Sequence, residues 1–367
     1  MTIVESTDIT NDSISKFIKP EPQIHDQRVT LHHWYTNTQT TIDRLNTSLM
    51  TQYEHRQLRD LVLQPPDPEY KDELIVPVEQ DIFRYDTRTG RRRFLVKALG
   101  YQPTCMATGF GYWAAGGQRS DLTLKDLHSD YKIAITTSPN NTINNGLCFS
   151  RVRDEIRLIV SNNDASIRIF TVPHLRLLQT LEFSVAVNHT SVSPDGRKMI
   201  VVGDDKKVHL FSITSSGRYE RVATMSASRD ANFSVSWTAN SDKFAVASQD
   251  GTVHVWDIRH RDPLYCFKGV GNPSITKGAA RCVAFSKTRA VDLLAYTEHV
   301  SHVHIVDART FDAQQTIRVG PAEQDTPITG LTFSQDSQKL FVGVDNAILE
   351  YQVDTPSRRR FPQGALL

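Results

Sequence analysis

Short runs of alternating apolar and polar residues, separated by turn residues, fill the chain from about residue 57 onward. The clearest example lies between Phe233 and Lys268, where four runs read FSVSW, KFAVAS, TVHVWDI and PLYCFKG. The breaks between these runs carry Asp, Asn, Gly or Pro. A period of two residues with frequent turn residues is typical of strands and not of helices. The segment therefore predicts four consecutive antiparallel strands joined by tight turns.

The end of the third run recurs along the chain at a nearly constant interval. The equivalent positions are Tyr85, Lys125, Phe170, Phe211, Trp256, Val306 and Tyr351, at intervals of 40, 45, 41, 45, 50 and 45 residues. A four-stranded propeller blade needs about 40–45 residues. Because one such sheet cannot bury both of its faces alone, stacking the sheets radially in a closed ring is the stable solution. The pattern predicts an all-β fold, a propeller of seven blades.

Two segments resemble repeats of the WD40 family. They are residues 191–197 (SVSPDGR) and residues 248–257 (SQDGTVHVWD), and the resemblance extends over roughly residues 57–362. It implies a seven-bladed WD40 β-propeller that binds partners at its rims. The Gly-His dipeptide of the family is absent from every repeat. Of its hydrogen-bonded tetrad, which is structural in the family, only three members are present in the best repeat: Ser248, Asp250 and Trp256.

A narrower similarity is carried by residues 188–196 (NHTSVSPDG) and 201–205 (VVGDD). These segments are similar to a little-characterised branch of WD40 proteins in fungi and plants. Some relatives in that branch resemble substrate receptors of multisubunit ubiquitin ligases. The similarity implies that the chain is such a receptor or an adaptor-bound subunit.

The ends of the chain lack the strand pattern. The first segment is rich in Thr, Ser, Asp and Pro, a composition typical of disorder. We divide the chain into a disordered tail (1–27), a lead-in segment (28–56), the propeller (57–362) and a C-terminal tail (363–367).

The lead-in segment bears on how the ring closes. The seventh blade has three clear strands, and its fourth comes either from residues 28–36 (RVTLHHWYT) or from residues 359–361. Apolar residues at Ile42, Leu45, Leu49 and Tyr53 favour a short helix over 41–63, with a loop as the alternative.

Composition narrows the function classes. With 42 basic and 41 acidic residues, the net charge is +1, which makes nucleic acid an unlikely partner overall. No apolar run approaches the roughly 20 residues of a membrane helix, and no secretory signal is visible. The cysteines have no C-x-x-C spacing and are expected to be buried free thiols of a reducing compartment, the cytoplasm, the nucleus or both: Cys105, Cys148, Cys266 and Cys282.

The sequence carries no catalytic motif: G-x-S-x-G, the P-loop and H-E-x-x-H are all missing. His302 and His304 share one face of a strand near His299, but two imidazoles without a further ligand make a poor metal site. We therefore predict no catalytic residue, no cofactor and no metal. The expected function is a non-catalytic scaffold for other proteins, a monomer within a larger complex.

The resemblance implies a partner-binding rim near the central channel. Its polar positions come from the first strand of each blade and from the turn between the second and third strands. Phe233 and Arg281 are the strongest candidates, because aromatic residues and Arg dominate interface hot spots. The alternative is that most of these positions are solvated loop residues: Gln118, Arg119, Asn145, Asn163, Asn188, Asp204, Phe233, Gln249, Arg281, His299 and Thr329.

A second candidate interface ends in the pattern W-D-x-R. Residues 244–259 resemble the motif by which some WD40 proteins dock onto the adaptor of a cullin ubiquitin ligase, with Trp256, Asp257 and Arg259 as its end. Residues 85–88 (YDTR) and 306–309 (VDAR) echo this ending. The same pattern also occurs in propellers that have no such role.

Two further features are open to a functional or a neutral interpretation. The runs Arg91, Arg92, Arg93 and Arg358, Arg359, Arg360 stand at similar positions of the first and last blades. Together they would form a basic patch for nucleic acid or a phosphorylated ligand, and solvated turns are the alternative. Lys19 lies in a short apolar-Lys-x-Glu pattern that fits attachment of a small ubiquitin-like modifier, although such patterns also arise by chance.

Overall fold

The computed structural model describes residues 35–42, 60–270, 278–344 and 347–353, the first range through its backbone alone. It contains one 3-10 turn, Pro68–Tyr70, and no α-helix in the described residues. The strands, in chain order, are β1 (Tyr35–Ile42), β2 (Glu73–Val78), β3 (Asp81–Asp86), β4 (Arg92–Val96), β5 (Cys105–Gly109), β6 (Tyr112–Gly116), β7 (Asp121–Asp126), β8 (Lys132–Thr136), β9 (Asn144–Val152), β10 (Glu155–Asn162), β11 (Ser166–Thr171), β12 (Leu177–Glu182), β13 (Val187–Val192), β14 (Lys198–Gly203), β15 (Lys207–Ile213), β16 (Tyr219–Ser226), β17 (Asn232–Trp237), β18 (Lys243–Ser248), β19 (Thr252–Asp257), β20 (Tyr265–Lys268), β21 (Ala280–Phe285), β22 (Leu293–Glu298), β23 (His302–Asp307), β24 (Gln314–Arg318), β25 (Ile328–Phe333), β26 (Lys339–Val344) and β27 (Ala347–Val353).

These strands form seven antiparallel sheets, which confirms the predicted seven-bladed propeller. Blade 1 contains β2–β4, and blades 2 to 6 contain β5–β8, β9–β12, β13–β16, β17–β20 and β21–β24 in turn. Blade 7 contains β25–β27 together with β1. In blades 2 to 6, consecutive strands pair through short turns, so the first strand is the innermost and the last is the outermost.

The seventh blade takes its outermost strand from the N-terminal part of the chain. Strand β1 pairs antiparallel with β27, from Tyr35 opposite Val353 to Ile42 opposite Ile348. The predicted strand at residues 28–36 thus overlaps β1 only at its end, and the alternative at 359–361 lies outside the described residues. The helix expected over 41–63 is absent at both described ends, because residues 41–42 belong to β1 and Leu63 pairs with Ile75.

Blade 1 completes its sheet with residues 61–64, which take the innermost position. Leu63 exchanges two backbone hydrogen bonds with Ile75 of β2, at 3.1 and 2.7 Å. The next residue, Gln64, reaches blade 7: its Oε1 accepts from the Gln335 N–H at 2.7 Å, and its backbone carbonyl accepts from the Gln335 side chain. Residues that are consecutive in sequence therefore tie the first blade to the last.

The hydrophobic core lies between the blades and not within any one of them. Each strand in the middle of a blade alternates side chains between two faces, and both faces are covered by neighbouring sheets. One cluster joins Ala245 and Val255 of blade 5 to Phe285 and Leu294 of blade 6, all of them buried. Burial on both faces is the reason why these strands are rich in Val, Ile and Ala throughout.

The innermost strands are held together by side chains, because each of them is an edge strand of its own sheet. The free backbone N–H of Val235 donates to His189 Nδ1 of the preceding blade at 3.0 Å. In the next interface the N–H groups of Val283 and Phe285 donate to Ser234 Oγ and Ser236 Oγ, at 3.2 and 2.9 Å. An edge N–H that would otherwise be unsatisfied next to the channel thus gains a partner.

The cysteines differ partly from the expectation that all four are buried. Cys105 and Cys282 are buried, but Cys148 is only half-buried and Cys266 is exposed. Cys266 lies on β20, the outermost strand of blade 5, where one face of the strand meets solvent. The free thiol state of all four agrees with the expectation.

Removing β1 tests the closure of the ring. Deletion of residues 1–43 should lower Tm by about 5 °C, because β27 loses a backbone pairing worth about 1 kcal/mol per hydrogen bond. The exposed edge of β27 should also promote association, which light scattering measures. Deletion of residues 1–27, which leaves β1 in place, is the control and should leave Tm unchanged. Equal Tm values for the two deletions would contradict the closure.

Two buried histidines predict how stability depends on pH. Burial lowers the pKa of His209 and of His254 below the ordinary value of about 6.5. The unfolded chain therefore binds more protons, and the free energy of unfolding should fall as the pH drops below about 6.5. Denaturant titrations at pH 7.5 and pH 5.5 measure this difference. The variant His209→Asn/His254→Asn should reduce it, and substitution of the exposed His260 should not; an undiminished difference in the double variant would refute this origin.

Candidate functional site

Five consecutive blades share one irregularity at the start of their innermost strand. In blades 3 to 7 the register between the first and second strands shifts by one residue, a β-bulge. A bulge leaves one residue out of the ladder and turns its side chain in a new direction. The bulged residues all lie at one end of the ring, next to the channel, and are those predicted for the first-strand rim positions: Asn145, Asn188, Phe233, Arg281 and Thr329. We call this end of the ring the bulge rim.

Two of the bulge residues are asparagines that connect neighbouring blades. The Asn145 side chain donates to the Val187 carbonyl of the next blade at 3.0 Å and to Asn163 Oδ1 at 3.3 Å. In the same way, Asn188 donates to the Asn232 carbonyl at 3.1 Å and to Asp204 Oδ1 at 2.7 Å. Both asparagines are buried. Each one therefore fixes an adjacent blade and, in its own blade, the turn between the second and third strands.

The third contact in this series is a cation–π interaction. The guanidinium of Arg281 lies over the Phe233 ring, 4.1 Å from its centroid, and joins blade 6 to blade 5. Phe233 is 1% exposed and Arg281 is 3% exposed. Both residues were predicted to be the strongest contact points of the rim. In this structure they lie beneath the surface and position the residues around them.

The accessible part of the bulge rim comes from the turns. Asn163, Asp204, Gln118 and Arg119 are exposed, whereas Gln249 and His299 are half-buried. A cleft of about 680 Å³ opens beside these turns between blades 4 and 5, and both acidic and basic side chains line it. Its charged lining consists of Asp204, Asp205, Lys206, Lys207, Arg229 and Asp230.

Beneath the rim of blade 6 lies a buried carboxylate, that of Glu298. Its Oε1 accepts from His304 Nε2 at 2.8 Å and from the Val270 N–H at 2.6 Å, and His302 Nδ1 lies 3.8 Å from its Oε2. Burial alone would raise the pKa of Glu298, but these hydrogen bonds hold it below its ordinary value. The described residues contain no group of three His, Cys, Asp or Glu side chains arranged for a metal ion. His304 is thus engaged in a structural network.

The W-D-x-R segment divides into a buried and an exposed part. Trp256 is buried and stacks on Phe244 with ring centroids 5.3 Å apart. Asp257 accepts hydrogen bonds from the backbone and side chain of Arg259, and this pairing lowers the pKa of Asp257. The Arg259 side chain is 76% exposed at the end of the ring opposite the bulge rim, which we call the opposite rim.

The tetrad expected from the family does not assemble around Trp256. Ser248 Oγ donates to the Ala231 carbonyl at 2.9 Å, and Asp250 accepts from Thr252 and from the Arg229 N–H. The Trp256 indole N–H, by contrast, has no hydrogen-bond partner among the described residues. The histidine of the tetrad is absent from this repeat, and packing, including the stacking on Phe244, positions Trp256 instead.

The remaining predicted residues fall partly outside the described chain. Arg91, Arg92 and Arg93 are exposed at the start of β4, the outermost strand of blade 1. Their proposed partners, Arg358 to Arg360, and the candidate modification site Lys19 lie outside the described residues.

One surface on the opposite rim was missed by sequence reasoning. It surrounds Phe110, which stands at the tip of the hairpin between β5 and β6. The signal available in the sequence was an aromatic residue between two glycines, Gly109 and Gly111, in a two-residue turn.

Among the described residues, no helix is long and apolar enough to cross a membrane.

Comparison with known proteins agrees with this architecture. A family model described as the WD domain, G-beta repeat, matches residues 220–257, and one described as an uncharacterised protein domain (DUF2415) matches residues 278–318, which is blade 6. The solved structure of U3-55K is similar in fold, with a TM-score of 0.64 and 17% identity, covering 82% of this chain and 97% of that one.

Two yeast proteins are related in sequence. An uncharacterized protein of Schizosaccharomyces pombe is 31% identical over 285 residues, which is 74% of this chain and 80% of the relative. An uncharacterized protein of Saccharomyces cerevisiae is 26% identical over 204 residues, 46% of this chain and 28% of that protein. With a seven-bladed ring, a WD40 repeat in blade 5 and a relative matched over most of its length, the chain belongs to the WD40-repeat family of β-propellers, in the same family as the S. pombe protein.

Proposed function

We propose that this propeller is a non-catalytic scaffold that holds other proteins on its bulge rim. The observation that carries the proposal is the row of five bulges in consecutive blades, which gathers polar turn residues around one end of the channel. Blades 3 to 6 are linked there by Asn145, Asn188 and the pair Phe233–Arg281. A surface held rigidly from beneath loses little conformational freedom on binding, which favours affinity.

The kind of partner follows from the composition of this rim. Exposed Arg119, Asn163 and Asp204 carry both signs of charge and amide groups, and the cleft beside them is likewise mixed. Such a surface fits a folded domain or peptide with matching polar groups better than a polyanion. We infer a monomer that works inside a larger complex, in the cytoplasm, the nucleus or both.

Charge substitution on the bulge rim tests the scaffold. The variant Arg119→Glu/Asn163→Glu/Gln249→Glu should reduce recovery of bound proteins at least tenfold in affinity purification with mass spectrometry, since interface hot spots contribute about 2 kcal/mol or more. The control is Arg176→Glu/Asn240→Glu/Gln179→Glu, which makes the same charge changes elsewhere on the ring. Unchanged recovery in the rim variant, with the control intact, would refute the proposal.

The narrower form of this proposal is a substrate receptor or adaptor-bound subunit of a ubiquitin ligase. It rests on the W-D-x-R ending and on the exposure of Arg259 at the opposite rim, away from the bulge rim. In this form the bulge rim would hold a substrate while Arg259 contacts a cullin-type adaptor. The intramolecular pair with Asp257 leaves most of the Arg259 side chain accessible for such a contact.

Blade 6 supplies a matched control for this adaptor contact. Arg309 pairs with Asp307 as Arg259 pairs with Asp257, but its side chain is only 20% exposed. Arg259→Ala should lower recovery of a cullin adaptor at least fivefold, and Arg309→Ala should leave it unchanged. Quantitative mass spectrometry of both purifications measures this. Equal recovery from both variants and wild type, or no adaptor from any of them, removes the ligase form.

A second candidate function is binding of nucleic acid or a phosphorylated ligand at blade 1. Arg91, Arg92 and Arg93 are exposed, and next to them Lys97 lies over the exposed ring of Phe94, 5.5 Å from its centroid. Charges beside an open aromatic ring suit phosphate and base contacts. Copurified RNA that disappears with Arg92→Glu/Arg93→Glu would favour this candidate over the scaffold.

A further inference from the structure

A second cleft lies on the opposite rim, far from the bulge rim. It has a volume of about 810 Å³ and opens between the turns of blades 1, 2 and 3. Its walls carry the aromatic rings of Phe110, Tyr112 and Phe149, with Pro66 and Pro68 at one side. This volume is within the range of known ligand sites.

Phe110 is held in this cleft in an unfavourable backbone conformation. Its φ is +54°, and Gly111 follows at +80°, the arrangement of a type I′ turn that favours Asn-Gly. Phe311 and Leu175 also have positive φ, but both are buried in the core, where packing offsets the strain. Phe110 is 38% exposed and has no such compensation from the core. The exposed residues Glu79 and Arg153 also have positive φ, so this conformation marks Phe110 only together with its aromatic ring and the contacts of that ring.

The Phe110 ring already binds a cation. The guanidinium of Arg151, from blade 3, lies 4.6 Å from the ring centroid. Arg151 is exposed. Since a cation over an aromatic face is attracted by the ring quadrupole, the contact shows that this face accepts positive charge.

The remaining charges around the cleft are acidic. Asp67 and Asp126 line it, and Glu69 at its edge lies 2.8 Å from His128 Nδ1. Hydrogen bonding by the His128 backbone lowers the pKa of Asp126, which further favours its ionised form. One oxygen of Asp67 accepts no hydrogen bond from the described residues. Two carboxylates and one guanidinium line the cleft, and a third carboxylate lies beside the lining residue His128, so the cleft is complementary to a cationic group.

We propose that this cleft binds an extended segment of another protein that carries a lysine or arginine flanked by apolar residues. The cationic side chain would lie among Asp67, Glu69 and Asp126. The flanking apolar residues would cover Phe110, Tyr112 and Phe149. This interaction is independent of the bulge rim, because it uses the other end of the ring and other blades.

Selection from a random heptapeptide library displayed on phage, against the immobilised full-length chain, tests the proposal. Peptides enriched by the wild type should contain Lys or Arg next to apolar residues. A synthetic copy of the most enriched peptide should bind Phe110→Asn at least tenfold more weakly. This variant creates the favoured Asn-Gly turn, so its Tm should be equal to or above that of the wild type.

Charge variants of the cleft should change its affinity for the peptide in opposite directions. Asp67→Asn should weaken the peptide about threefold to tenfold, whereas Arg151→Gln should strengthen it by a similar factor, because it removes the competing cation. The bulge-rim triple variant should bind the peptide as the wild type does, which separates this site from the scaffold function. Acidic peptides, peptides insensitive to Phe110→Asn, or no enrichment over an uncoated surface would each overturn the proposal.

Discussion

The structure depends on how the innermost strands satisfy their free edges. In blades 2 to 7 the innermost strand pairs on one side only, and its other side faces the channel and the next blade. An unpaired row of N–H and C=O groups would be costly and prone to association. Side chains of the neighbouring blade accept hydrogen bonds from these groups. The Val235 N–H donates to His189 Nδ1, and the Phe285 N–H donates to Ser236 Oγ. The ring is therefore closed by polar contacts at its centre as well as by apolar packing between its sheets.

The same constraint shapes the bulge rim. In blades 3 to 7, a bulge at the start of the innermost strand frees one side chain, and in blades 3 to 6 that side chain contacts a neighbouring blade. Asn145 and Asn188 use this freedom for hydrogen bonds, and Arg281 uses it for the Phe233 ring. These residues next to the channel are buried and stabilise the ring, so the residues accessible to a partner are those of the turns above them. In the described part of the chain, the innermost strands show no such row of bulges at the opposite rim, where hairpin tips and aromatic rings line the cleft.

Much of the fold could be read from the chain because the signals were local. The strand ends at Trp256 and Val306 coincide with β19 and β23 to within one residue, since an Asp-containing turn follows each. Burial was harder to predict. Burial along a strand is predicted from the alternation of inward-facing and outward-facing side chains. Phe233 and Arg281 do not follow this alternation because each is the bulged residue of its strand, so the sequence predicted them to be surface contacts. The exact position of β1 depended on pairing with β27, some 310 residues away, which no local pattern encodes. The glycines on both sides of Phe110 indicated a turn in the sequence. Only the structure shows that Arg151, from another blade, lies over the Phe110 ring.

Hydrogen exchange of the channel-facing amides is the most direct test of ring closure by side chains. The amide protons of Val235, Val283 and Phe285 can be followed by mass spectrometry with residue-level fragmentation. If neighbouring blades bind them, they should exchange as slowly as the central β18 amides, and Ser234→Ala should accelerate Val283 selectively. Exchange of all three within seconds in the wild-type protein, as for open edge strands, would contradict the account.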